Sequence, residues 1–184
     1  IKVRKRSIQN IISEMEIAKH AGFKGFQVYD DNFLAFTLKE IEDFSELYRS
    51  RLNLPFGILG INPNNMRSKY SSKKVDLLLN CGLSDVRIGV QSGSNKTLEM
   101  LSRKYTAEGL PKLLSVFENR GTIWKKPYNK LRIAVDIICD SPWEDEEDKL
   151  KTLKLANSLL STYGVFFYTL IYLPGTDINE LALK

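Results

Sequence analysis

The sequence predicts an α/β fold in which a single parallel sheet is built from strands that alternate with helices. Short apolar runs rich in β-branched and aromatic residues recur along the chain, and each is followed by a segment with helical periodicity. The connections between the two kinds of segment are short. Because parallel strands need crossover helices, this alternation favours a parallel sheet whose strand carboxyl ends all lie at one rim.

The first part of the chain contains two helix–strand units. Ser7 is a good N-cap for the first helix, and residues 25–29 form the strand that follows it. Thr37 and Glu40 begin the second helix as a capping box, and residues 55–61 form the next strand. The apolar faces of these helices are formed by Ile8, Ile11, Ile12, Met15 and Ala18, and by Leu38, Ile41, Phe44 and Tyr48.

The rest of the chain follows the same order. Ser71 or Ser72 caps a short helix, and residues 86–90 form a third strand. Residues 131–139 form a fourth strand, and residues 165–172 form the last. The apolar residues of the intervening helices are Leu98 and Leu101, then Leu110, Leu113, Leu114 and Phe117, then Leu150, Leu153, Ala156 and Leu159. The acidic residues 144–148 stand at the start of the last of these helices, where its dipole favours them.

The composition is that of an ordinary globular domain. The chain has 184 residues, of which 43% are hydrophobic and 27% charged, which suffices for one domain with a core. Its net charge of +5 comes without the interleaved aromatic residues of a stacking platform, which disfavours nucleic acid as a partner. No run of about 18 or more apolar residues predicts a membrane span. Cys81 and Cys139 lie far apart among apolar residues, a pattern typical of reduced core thiols in a cytoplasmic protein.

Polar residues follow the strands and are expected to converge at the carboxyl rim of the sheet. Hydrogen-bond acceptors dominate this set, with Arg103 as a cation, which suits a ligand that has hydroxyls, an ammonium and a carboxylate. The single histidine, His20, lies near a helix end, so no Ser–His or Cys–His nucleophile pair is available. The sequence contains no C-x-x-C spacing, so it does not predict a metal site of this kind. The residues expected at the rim are 30–33, 62–65, Gln91, Ser92, Asp140 and 174–176.

Four groups of residues, in this order along the chain, resemble the radical S-adenosylmethionine enzymes, especially the class that often follows a cobalamin-binding domain. They are residues 28–33, residues 89–94 with Leu98, Ser102 and Arg103, residues 136–138 with Ser141, Pro142, Glu144 and Asp145, and residues 174–176. The family fold is a partial (β/α)6 TIM-like barrel. The resemblance implies that residues 1–184 are a single, N-terminally truncated core domain that supplies the second to sixth strands of such a barrel, with the first strand missing.

The resemblance also assigns residues to a site for S-adenosylmethionine. Asp30, Asp31 and Asn32, with Phe33 in the same loop, stand where the family contacts the amino group of the cofactor. Asn62 occupies a rim position after the family's third strand that is polar in some relatives.

Later residues resemble those that contact the rest of the cofactor. Gln91, with Ser92 beside it, stands at a position similar to a ribose-hydroxyl contact. Arg103 resembles the arginine that pairs with the methionine carboxylate, and Asp136 resembles an acidic residue that contacts the nucleoside.

The chief departure from the family is the absence of the C-x-x-x-C-x-x-C motif, whose three thiolates hold a [4Fe-4S] cluster. Truncation upstream of Ile1 explains this departure. The full protein is then expected to be an enzyme that cleaves S-adenosylmethionine reductively to a 5′-deoxyadenosyl radical, with flavodoxin or ferredoxin as a reductant and an unknown small molecule or peptide as substrate. Cobalamin in another domain would be a further cofactor, and residues 1–184 alone are expected to be inactive.

Two alternatives remain open. A degenerate α/β domain would bind a nucleoside, or serve as a scaffold, without a cluster and without catalysis. An unrelated barrel enzyme would need a catalytic acid and base at the rim, for which Asp30 and Asp140 are the candidates.

Overall fold

The structure of the protein is a computed structural model that describes residues 5–30, 32–118 and 131–183. In this part of the chain, five strands form one sheet in the order β1-β2-β3-β4-β5, and every neighbouring pair is parallel. The predicted α/β fold with a parallel sheet is therefore confirmed. The strands are β1 (Phe26–Val28), β2 (Phe56–Ile61), β3 (Leu83–Gln91), β4 (Arg132–Cys139) and β5 (Gly164–Thr169). The loop predicted at residues 122–129 lies outside the described residues.

Helices connect successive strands, as parallel pairing requires, and further helices precede the first strand and follow the last one. They are α1 (Ile8–His20), α2 (Leu38–Leu47), α3 (Pro63–Met66), α4 (Ser71–Cys81), α5 (Asn95–Met100), α6 (Leu110–Glu118), α7 (Glu146–Leu159) and α8 (Asp177–Ala182). A 3₁₀ turn (Phe33–Ala35) follows β1, and a π-helical turn (Tyr48–Leu52) extends α2. None of the helices in the described residues has both the length and the apolar character needed to cross a lipid bilayer.

Most of the predicted helix starts are confirmed by their caps. The Ser7 hydroxyl accepts the Asn10 backbone N–H at 3.3 Å, and Thr37 forms a capping box with the third residue of α2. The cap predicted at Ser71 or Ser72 is wrong, because Tyr70 precedes α4. The Ser71 hydroxyl instead donates to the Asn65 carbonyl at 2.9 Å, so it ties α4 to the segment that follows β2.

The core lies between the helices and one face of the sheet. Val86, Ile88 and Val90 alternate along β3, and all three are fully buried on the side that faces the helices. Next to β1 and β2, Tyr48 packs between the rings of Phe44 and Phe56, with centroid distances of 5.3 and 4.6 Å. This apolar side fixes the register of the strands, because a shift of one residue would expose the whole set.

The opposite face of the sheet carries polar and charged side chains. Arg87 and Gln91 alternate with the buried residues of β3, and Asp85 pairs with Arg132 of β4 across a distance of 2.9 Å. This face, called the inner face below, corresponds to the interior of a closed (β/α) barrel. Its last residues lead into the carboxyl rim.

Two sequence predictions, one about α7 and one about β5, are wrong in detail. Leu150 and Leu153 of α7 are 48% and 60% exposed, whereas α7 buries Thr152, Ala156 and Leu159. Because the loop after β3 packs on this helix through hydrogen bonds, the buried stripe is partly polar and hydrophobicity alone misplaces it. The last strand ends at Thr169, three residues before the predicted end.

Candidate functional site

The loop after β1 lines a cavity of about 660 Å³ between α1 and the edge of the sheet. The Asp30 carboxylate accepts the backbone N–H of Asn32 at 2.7 Å, which closes a tight polar turn. The Asn32 side-chain oxygen is buried and has no hydrogen-bond partner within the described residues. It is therefore an acceptor suited to a donor such as an ammonium group. Asp31 lies outside the described residues.

Phe33 is 3% exposed, and its ring packs against those of Phe36 and Phe44 at centroid distances of 5.4 Å. It anchors the loop in the core and contributes one wall of the cavity. Its contribution to the site is therefore to shape the loop.

Asn62 directly follows β2 and caps α3. Its side-chain oxygen accepts the backbone N–H of Asn64 at 3.0 Å, and Asn64 in turn accepts the backbone N–H of Lys104 at 2.7 Å. The acceptor atom of Asn62 is thus engaged inside the protein. These contacts join the loop after β2 to the segment that carries Arg103.

Gln91 ends β3 with a φ of 74°, in the left-handed region that is uncommon for residues other than glycine. The register with β4 is irregular between Gly89 and Gln91, and a Cβ on Gly89 would lie 2.5 Å from the Gln91 side-chain nitrogen. The glycine therefore gives the Gln91 amide room on the inner face. Asp136 of β4 pairs with Gly89 in the register, so the amide and this carboxylate occupy adjacent positions.

Ser92 is 1% exposed and faces α7 rather than a cavity. Its hydroxyl oxygen lies 2.9 Å from the Thr152 hydroxyl and 3.1 Å from a Glu144 carboxylate oxygen, and it accepts the backbone N–H of Ser94 at 3.0 Å. Its hydrogen-bonding capacity is used within the protein. Ser92 thus holds the loop that follows Gln91.

The next contact completes this anchor. Ser94 donates to the buried carboxylate of Asp148 at 2.6 Å, and Lys96 lies 2.9 Å from the same carboxylate. The Ser94 hydroxyl, followed by the Lys96 ammonium, lowers the pKa of Asp148 to about 2. The sequence indicates Asp148 only as part of an acidic helix start. Its second role, as an anchor for the loop after β3, is indicated only by the hydroxyl groups of that loop.

Arg103 lies on a segment that returns to the rim. The Tyr105 hydroxyl donates to the carbonyl of Val90 near the end of β3, while Lys104 is bound to the loop after β2. Arg103 directly precedes these two residues, and its backbone N–H donates to the Leu98 carbonyl at 2.7 Å. Its side-chain Nε is buried and has no hydrogen-bond partner within the described residues. A guanidinium held in this way binds a carboxylate favourably, since its buried Nε is already out of water and a carboxylate oxygen can accept from it.

Asp136 lies near the middle of β4 with its side chain 24% exposed. One carboxylate oxygen forms an ion pair with Arg87 of the neighbouring strand. Arg87 was not among the residues identified from the sequence, where it reads as one polar residue of an alternating strand. The structure thus brings Gln91 and Asp136 together on the inner face, below the rim that carries Arg103.

The residues fit S-adenosylmethionine better than they fit an iron–sulfur cluster. The cofactor's ammonium, carboxylate and hydroxyl groups match Asn32, Arg103 and Asp136. Cys81 is 4% exposed, and burial raises the pKa of its thiol to about 12. Burial also raises the pKa of Cys139. In the described residues, no three His, Cys, Asp or Glu side chains form a metal-binding group.

Comparison with known proteins identifies relatives of the chain. It is 28% identical over 181 residues to an uncharacterized protein of Methanocaldococcus jannaschii, an alignment that covers 96% of the chain and 52% of that protein. It is 27% identical over 201 residues to the tRNA-2-methylthio-N(6)-dimethylallyladenosine synthase of Azobacteroides pseudotrichonymphae, which covers 98% of the chain and 41% of the synthase. The chain thus spans about half the length, or less, of these curated relatives. No protein-family model matches it.

A solved structure shares the fold. It is the radical S-adenosylmethionine methyltransferase TsrM from Kitasatospora setae, with cobalamin and a [4Fe-4S] cluster bound. The match has a TM-score of 0.69 and 18% sequence identity, and it covers 92% of the chain and 32% of TsrM. At this identity, the match shows the fold alone.

Proposed function

We propose that the chain is the core domain of a radical S-adenosylmethionine enzyme and binds S-adenosylmethionine at the carboxyl rim of its sheet. Its relatives in sequence and in fold support this proposal. One observation carries the proposal. The backbone N–H of Arg103 donates to the Leu98 carbonyl at 2.7 Å, and the two residues that follow it are bound to α3 and β3, yet its buried Nε has no partner in the described part of the chain. An unpaired buried donor on a cation is costly unless a ligand completes it.

The other groups match the remaining parts of the cofactor. Asp30 and Asn32, in the loop after β1, would bind the ammonium group. Gln91 and Asp136 would bind the ribose hydroxyls on the inner face, where an amide and a carboxylate lie at adjacent positions. Together these residues orient the cofactor and match its charges.

Together with a reduced [4Fe-4S] cluster, S-adenosylmethionine held by these residues would supply radical chemistry for the removal of hydrogen from a substrate. We propose reductive cleavage of S-adenosylmethionine for the whole protein, with an electron donor such as ferredoxin or flavodoxin. The two cysteines described above do not fit the cluster, so the function of this chain's own residues is to bind and orient the cofactor.

The test is a comparison of two ligands with two variants. Equilibrium dialysis with labelled S-adenosylmethionine should show saturable binding, which Arg103→Ala weakens by about 1.5 to 3 kcal/mol, the value of a charged hydrogen bond. 5′-Methylthioadenosine lacks the carboxylate, so the wild-type and Arg103→Ala chains should bind it with the same affinity.

The matched control is Arg132→Ala, which removes an arginine at the amino end of β4, far from the rim. It should leave both affinities unchanged. If Arg103→Ala weakened both ligands equally, or neither, Arg103 would not bind the carboxylate. If the wild-type chain did not bind S-adenosylmethionine, the proposed function would be wrong.

A further inference from the structure

Arg87 lies at the centre of a charged cluster on the inner face. One of its terminal nitrogens forms an ion pair with Asp136 and a hydrogen bond with the hydroxyl of Tyr168 on β5. The guanidinium carbon lies 4.5 Å from the ring centroid of Phe166 and 5.5 Å from that of Tyr168. The cluster therefore links three neighbouring strands through a single guanidinium.

The two oxygens of the Asp136 carboxylate have different contacts. Oδ1 is paired with Arg87, whereas Oδ2 makes no hydrogen bond within the described residues. Asp136 pairs with Gly89 in the strand register, so Arg87 reaches it diagonally from two residues earlier on β3. The ion pair thus restrains the side chain through Oδ1, and Oδ2 is the oxygen that Arg87 does not engage.

A purely structural role explains this arrangement poorly. The Arg87 Nε is buried and has no partner in the described residues. A half-buried ion pair with an unsatisfied donor contributes little to stability, because desolvation offsets much of its attraction. What the pair does provide is a fixed position for the Asp136 carboxylate.

We propose that Arg87 and Tyr168 are positioning residues, which hold the Asp136 carboxylate so that Oδ2, the oxygen that Arg87 does not engage, accepts the ribose hydroxyls of the bound nucleoside. The inference rests on the proposed function and extends it to two residues that do not touch the ligand. The hydroxyl of Tyr168 accepts from Arg87 and limits the rotation of the guanidinium. Loss of either residue lets Asp136 turn away from the ribose.

The measurement is the preference for ribose hydroxyls. It is the ratio of affinities for adenosine and 2′,3′-dideoxyadenosine, each obtained by displacement of labelled S-adenosylmethionine. The wild-type chain should prefer adenosine by about 10- to 100-fold, as expected for hydrogen bonds to a charged group. Arg87→Met should reduce the ratio to within about threefold of the value for Asp136→Asn, and the double variant should show no further loss.

The chain offers a matched control. Asp85 and Arg132 form a second ion pair between β3 and β4, also on the inner face and closer to the amino ends of the strands. Arg132→Met breaks this pair and should leave the adenosine preference unchanged. Tyr168→Phe keeps the ring and removes only the hydroxyl, so it reports on positioning even if Arg87→Met fails to fold; it should lower the ratio by about two- to fivefold.

The outcomes separate this inference from the proposed function. A wild-type preference that survived both Arg87→Met and Tyr168→Phe would overturn the inference while S-adenosylmethionine binding still stood. An equal loss of preference in Arg132→Met would also overturn it, since the effect would then be a general one of the sheet. Absence of S-adenosylmethionine binding by the wild-type chain would overturn both.

Discussion

Gly93 lies where the loop after β3 crosses α7, and Gly93→Ala tests how this loop is held. A Cβ at this position would lie 2.6 Å from the Lys151 carbonyl oxygen and 2.7 Å from the Thr152 Cα. Both atoms belong to the helix backbone, so no side-chain rotation relieves the overlap. Since ordinary contact begins at 3.4 Å, the loop and helix must separate by about 0.8 Å, the difference between 3.4 and 2.6 Å.

The displacement acts directly on the hydrogen bonds that anchor the loop. The backbone N–H of Gly93 donates to the Thr152 hydroxyl at 3.0 Å, Ser92 lies 2.9 Å from the same hydroxyl, and Ser94 donates to Asp148 at 2.6 Å. Overpacking of a close contact costs about 1 to 3 kcal/mol. Because the hydrogen bonds are stretched as well, we expect the upper part of this range for the loss in free energy of unfolding.

Urea denaturation of wild-type and variant chains measures this loss. The control is Gly164→Ala on β5, whose added Cβ would meet the Phe166 ring and the Ala134 Cβ at 3.5 and 3.6 Å, which are ordinary contacts. It should change the free energy of unfolding by less than about 1 kcal/mol. If Gly93→Ala were as stable as wild type, or no less stable than the control, the loop would not be packed on α7 as described.

Three further predictions concern stability. Asp148→Asn should lower the free energy of unfolding by about 1.5 to 3 kcal/mol at pH 7. Because folding depresses the pKa of Asp148 from 3.8 to about 2, the stability difference between wild type and variant should shrink as the pH falls from about 4 to 2. A difference that stayed constant over this range would contradict the assignment. Lys74→Met should lower the free energy of unfolding by about 2 kcal/mol or more in urea denaturation, since the buried ammonium donates to the Leu34 and Phe36 carbonyls at 2.9 and 2.6 Å. An unchanged urea midpoint would refute that role. Leu153→Gln should stay within about 0.5 kcal/mol of wild type, because the side chain is 60% exposed, and a large loss would restore the predicted apolar face of α7.

The parallel sheet was predictable from the sequence because each strand is apolar on its helix-facing side and each helix follows a recognisable signal. Thr37 shows this at one position, since its capping box needs only a hydroxyl and a glutamate three residues apart. The stripe that α7 buries was not predictable from periodicity. Thr152 and Asp148 are buried because a loop from elsewhere in the chain supplies their hydrogen bonds, and no local pattern encodes that partner.

The candidate site was predictable only as a set of positions. Ser92 follows Gln91 directly, and a polar residue at a strand end reads the same whether it faces a ligand or a neighbouring helix. The structure separates the two: the left-handed backbone of Gln91 aims its amide at the inner face, while Ser92 turns into the protein. The role of Arg87 is not predictable from the sequence, because its partners lie on two other strands, 49 and 81 residues further along the chain.

Hydrogen-bond saturation offers a physical criterion for sorting the site residues. Asn62 and Ser92 have their acceptor atoms engaged inside the protein, which identifies them as anchors of the loops. Asn32 and Arg103 each bury a polar atom with no partner in the described residues. The Tyr48 hydroxyl is equally unpartnered, but it lies within the aromatic core, where no ligand reaches. An unsatisfied polar atom therefore indicates ligand binding only where the backbone also places it at the rim. Arg103 meets both conditions, so its substitution tests the proposed function most directly.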